Sequence, residues 1–148
     1  MKTKFSKAFM LILACSLFAF TTKPGGEGFE VYLDNNLAIQ QHGSAMDNIK
    51  SLRLNENSKN SIITIKYHHC GKVGKNRVIA LKDEKGKTLK EWKFPDVSAP
   101  VSPMKCAVKD IIDVKGSTVV TLYYSSTELP KGRTIAGVNL NSALVSSK

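Results

Sequence analysis

Two imidazoles and a thiol stand side by side at His68-His69-Cys70, and Met104 and Cys106 form a second soft pair further along the chain. Imidazole, thiolate and thioether are ligands for zinc or copper, and His42 is the only other histidine. One candidate chemistry is therefore a soft-metal site using His68 or His69 with Cys70, Met104 and Cys106. Two arguments oppose it. Neighbouring residues of a strand point to opposite faces, so His68 and His69 do not readily share an ion. The cysteines also have a competing use. In an exported chain a lone pair reads first as a disulfide. A Cys70–Cys106 bridge would close a loop of about 37 residues and contribute roughly 3–4 kcal/mol. On that reading His69 packs at a strand end and His68 faces solvent.

Patterns for catalysis are scarce. No serine sits in a G-x-S-x-G elbow, and a Cys70–His69 dyad requires a free thiol. Glu27, Glu30, Asp34, Asp83, Glu84 and Glu91 fall mostly in turns or on exposed strand faces, whereas glycoside hydrolysis needs two carboxylates facing each other across a cleft. Gly71-Lys72-Val73-Gly74-Lys75 lacks the spacing and the following helix of a phosphate loop. No catalytic residue and no cofactor is assigned, and a small hydrolase of unrecognised type is the third-ranked function.

A recognition surface is better supported. The segments Lys72–Asn76 and Thr127–Arg133 carry Lys72, Lys75, Lys131 and Arg133, and strand tyrosines lead into each. Tyr123 and Tyr124 are adjacent, so one faces the core and the other the surface. An exposed tyrosine beside cations suits contact with a glycan or a protein. Lys72, Lys75, Tyr123, Lys131 and Arg133 are the candidate binding residues. The expected partner is an anionic glycan, lipopolysaccharide or an acidic protein face in the envelope or outside the cell.

These residues need a scaffold, and the pattern is one of short strands between turns. Alternation marks strands at Phe29–Leu33, Leu37–His42, Ile49–Leu54, Ser61–His69, Arg77–Lys82, Lys87–Phe94, Met104–Val108, Ser117–Ser125 and Arg133–Leu140. Leu37 and Ile39 are expected to share one face. Leu89 is out of phase with Trp92 and Phe94, which predicts a bulge. Asp34-Asn35-Asn36 and Asp83-Glu84-Lys85-Gly86 are turns. Lys109–Val114 has room for a single helical turn, and no segment keeps helical period over eleven residues. The reading is a single-domain, all-β antiparallel sandwich of about eight or nine strands, with a small barrel as the alternative.

The N-terminus supplies an address. Lys2, Lys4 and Lys7 precede an apolar run from Ala8 to Phe20, and polarity returns at Thr21. A basic start, a short apolar stretch and small residues at the exit describe a secretory signal peptide. The run is shorter than the roughly 20 residues of a membrane span. The expected organisation is a leader at 1–21, a linker at 22–27, the sandwich at 28–140 and a tail at 141–148, with no transmembrane segment in the mature chain. Lipoprotein processing at Cys15 is a minor alternative. The chain holds 22 Lys and Arg against 12 Asp and Glu, a net charge of +10. Export argues against nucleic acid as the partner of that charge, and the lysines are scattered without a run. Gly25–Leu33, Tyr67–Arg77 and Leu122–Arg133 together resemble small exported proteins of unassigned function from the Bacteroidota. The resemblance implies a periplasmic or secreted setting and assigns no activity to any residue.

Overall fold

The computed structural model describes residues 26–140. The expected leader and tail and most of the expected linker lie outside the described residues. Within them, alternating sequence becomes nine strands: β1 (Gly28–Leu33), β2 (Asn36–His42), β3 (Ser51–Leu54), β4 (Ile62–His68), β5 (Arg77–Lys82), β6 (Thr88–Phe94), β7 (Met104–Ala107), β8 (Val119–Ser125) and β9 (Arg133–Leu140). A single short α-helix among the described residues, α1 (Val108–Ile112), follows β7.

The strands form two sheets, ordered β2-β1-β4-β7 and β3-β9-β8-β5-β6, with no barrel closure. This is the all-β sandwich the alternation predicts. Every pairing is antiparallel except β3 with β9, which run parallel. The core is the set of inward positions: Phe29 and Val31 of β1, Ile63, Ile65 and Tyr67 of β4, Ile79 and Leu81 of β5, and Val120, Leu122 and Tyr124 of β8. Each large apolar side chain withdrawn from water contributes on the order of 1.5–3 kcal/mol. Val108 and Ile111 of α1 join the same cluster at one end.

Three bulges decide which side chains face in. Lys82 pairs with Thr88 where Leu81 pairs with Lys90, which leaves Leu89 as the extra residue predicted from its phase. The β1–β2 register skips Ala38. Leu37 consequently lies opposite Tyr32 on the outer face, half exposed, while Ile39 is buried; the expectation that the two share a face fails for that reason. The β8–β9 register skips Ile135, so Arg133 pairs with the inward Tyr124 and turns toward the interior.

The predicted Cys70–Cys106 disulfide is absent, and both thiols are free. Cys106 sits in the core on β7, opposite Ile63, near one end of β4, while Cys70 is exposed just beyond the other end. Five residues of strand separate Ile63 from His68, and Cys70 lies past that end; the strand alone spans roughly 16 Å at ~3.3 Å per residue, far beyond the ~7 Å limit for bridging α-carbons.

Candidate functional site

β-pairing brings one end of the sandwich together from four segments: the chain entering β1, the β4–β5 loop, the β8–β9 loop and the turn after β2. The two basic loops lie side by side. Thr127 N–H donates to the Lys75 carbonyl at 2.9 Å, Lys75 N–H to the Glu128 carboxylate at 2.8 Å, and the Asn76 amide to Thr127 Oγ1 at 3.0 Å. Asn76 holds a positive φ of 50°, and its own N–H donates to Asp96. Burial acts to raise the Glu128 carboxyl, but its hydrogen bonds, Lys75 N–H first among them, bring it below the usual carboxylate range.

Lys72, Lys75 and Lys131 project from this pair, exposed, and make no ion pair among the described residues. Arg133 does not join them. Its guanidinium lies 3.6 Å from Glu27 and 3.4 Å from Asp47, where the bulge at Ile135 directs it. Tyr123 is on the outer face as expected of one of the two tyrosines, with Lys82 Nζ 3.7 Å from its ring centre. Its hydroxyl donates to the Lys131 carbonyl. The ring packs against Gly132, at φ +66°, where any β-carbon would collide with it. Tyr123 thus braces the loop that carries Lys131.

Beneath the loops lies a polar cluster. His69 Nε2 is 2.8 Å from the Tyr124 hydroxyl and 3.4 Å from Ser126 Oγ. Tyr67 stacks on Tyr124 at 4.4 Å and donates to Glu27 at 2.5 Å. Gly74 closes the cluster, since a β-carbon there would lie 2.9 Å from His69 Nε2 and 3.0 Å from the Tyr124 hydroxyl. Burial pushes the His69 imidazole below its ordinary range, opposed by Glu128 and Glu27. Desolvation also raises the Tyr124 and Tyr67 phenols, helped at Tyr67 by the Glu27 carboxylate. Arg77 is buried alongside, donating to the carbonyls of Ser102 at 3.0 Å and Pro95 at 2.9 Å.

This cluster is closed, and its only buried side-chain polar atom without a partner among the described residues is Arg77 Nε. Ser126 Oγ accepts from Leu129 N–H at 3.2 Å, and no carboxylate hydrogen-bonds the His69 ring among the described residues. Serine and histidine therefore meet without the orienting acid or the open space that nucleophilic attack uses. Tyr124, Ser126, Glu27 and Arg77 were not singled out as a set by the sequence, since only long-range register assembles them.

The soft-metal grouping is not assembled. Met104 and Cys106 are buried opposite Ile65 and Ile63, while His68, His69 and Cys70 stand at the far end of β4. His69 faces the core and His68 the outer side, as alternation predicts. At the opposite end of the sandwich a cleft of about 450 Å³ lined by Leu54, Ile112, Val114, Ser117, Thr118 and Leu140 contains none of the predicted site residues. No helix among the described residues is long and apolar enough to cross a membrane. Comparison with models of known protein families finds no match, and a search of curated proteins finds no relative, so function rests on the site alone.

Proposed function

We propose that the protein is a non-catalytic exported binding module that contacts an anionic partner, an acidic glycan or an acidic protein face, through its paired end loops. One observation carries the reading. Backbone and carboxylate hydrogen bonds lock the β4–β5 and β8–β9 loops together, and Lys72, Lys75 and Lys131 extend from them without ion partners among the described residues. Rigid loops lose less entropy on binding, and unpaired cations steer and orient an anionic surface. Binding loops carried by a fixed scaffold are the usual arrangement of sandwich proteins.

The test is retention on a sulfated polysaccharide and on polyglutamate, eluted with rising salt. The wild-type protein should be retained on at least one matrix and leave it at higher salt than a Lys72→Ser, Lys75→Ser, Lys131→Ser triple variant. Arg133 is left intact because it ties Glu27 and Asp47 to the fold. Elution of both proteins at the same salt would end the basic-loop reading.

A further inference from the structure

The outer face of the first sheet holds a second constellation, centred on a glycine. Gly28 of β1 pairs with His42 of β2 on one side and with His68 of β4 on the other. The three residues form one row across the sheet and share a face. The two histidine α-carbons are two strand spacings apart, roughly 10 Å, yet their ring centres are 6.2 Å apart, so the imidazoles lean toward each other above Gly28. The absence of a side chain at Gly28 makes that possible, because a β-carbon there would collide with His42 Nδ1. Glu30 lies two residues along the same face, its Oε1 3.8 Å from His68 Nε2. That nitrogen is shut off from solvent and has no hydrogen-bond partner. The Glu30 carboxylate is held in place by the Tyr32 hydroxyl at 2.7 Å and the Gln40 amide at 3.4 Å.

We propose that His42, His68 and Glu30 bind a divalent first-row transition metal ion, of the zinc or copper class, in the notch over Gly28. Nitrogen–metal bonds of about 2.0–2.1 Å hold two imidazole centres on one ion roughly 5–6 Å apart, close to the spacing found. Two imidazoles and a carboxylate are a donor set that such ions accept, with water completing the shell. As the side chains stand, no three His, Cys, Asp or Glu groups converge on a common point among the described residues. The exposed His42 ring closes the set by turning about its side-chain bonds, while the Glu30 carboxylate is already supported from behind. The ligands come from three neighbouring strands, so the bound ion cross-links β2, β1 and β4.

Titration calorimetry with Zn²⁺ and Cu²⁺ on untagged protein, its exposed thiol alkylated beforehand, tests this. Binding of one ion by at least one metal is expected, with His42→Ala and His68→Ala each weakening it about tenfold or more as a coordinate bond is lost. Glu30→Gln should weaken it less. All three side chains point outward from the sheet, and circular dichroism checks that each variant folds. Imidazole proton resonances of His42 and His68 should move with added Zn²⁺ while those of His69 stay. No heat with either metal, or heat that survives both histidine changes, overturns the proposal.

Discussion

His69 and Cys106 show how burial sets the chemistry of single residues. Desolvation pushes the Cys106 thiol up to about 12, so it supplies almost no thiolate at neutral pH and is shielded from reagents. Cys70 is exposed. Alkylation of the native protein should label Cys70 and spare Cys106, and denaturation should open Cys106 to label. Absence of label on Cys70, or equal labelling of both in the native state, would contradict this arrangement. His69 behaves in the opposite sense. Its folded-state value is lowered from 6.5 by burial, so below about that pH the unfolded chain takes up a proton first. The stabilisation is whole above 6.5 and is lost as pH falls through the window down to the lowered value. Melting temperature should therefore drop between pH 7.5 and 5.5, and His69→Gln should flatten that slope. The carboxylates Asp110 and Asp113, held low chiefly by Lys90 and Lys109 respectively, act in the same direction but only near and below about pH 4. An unchanged slope in the variant would remove His69 as its source.

At the level of elements, the most exacting piece is the proline-rich crossing between β6 and β7. Arg77 reaches from the first position of β5 to carbonyls near both ends of that crossing, at Pro95 and Ser102. It is 5% exposed and has no carboxylate partner among the described ion pairs. Arg77→Met keeps the apolar stem but deletes both charged hydrogen bonds and leaves two acceptors without their donor, a cost of about 3 kcal/mol. A fall in the urea midpoint with an unchanged slope would register it; a shift equivalent to under about 0.5 kcal/mol would mean the crossing is held by other contacts. Strands themselves were largely legible. Ile63, Ile65 and Tyr67 alternate with Thr64, Lys66 and His68, and period two leaves one consistent assignment of faces. The Leu89 bulge was legible too, because its phase conflicts with Trp92. Those at Ala38 and Ile135 were not, since Ala is neutral in pattern and Ile135 fits either face; that is why Leu37 was placed on the face of Ile39 and the direction of Arg133 had no signal.

For the molecule as a whole, sandwich class followed from strand alternation and turn spacing, whereas the site did not follow from local signal. That the Lys72–Asn76 and Thr127–Arg133 loops abut depends on Val78 pairing with Ser125 across some fifty intervening residues, which no window of sequence encodes. The same holds for His42, Gly28 and His68, three unremarkable positions until two registers align them. Cys70 and Cys106 stay unpaired because a disulfide needs proximity, and proximity is set by which end of β4 each thiol reaches.

The lone parallel pairing, β3 with β9, has a consequence in time. Leu52 and Leu54 are core residues, yet their strand finds its partner in Val138 and Leu140, the last described stretch of chain. During vectorial emergence β3 waits, its apolar side chains out early and its edge unpaired, until the other described strands have followed. Closing so long a loop is entropically slow. β9 is thus the closing piece of the assembly: it gives β3 and β8 a shared neighbour in one step. A chain shortened before Arg133 would lose the partner of two strands at once, so completion of this sheet is tied to arrival of β9 and the waiting β3 is the segment most in need of protection until then.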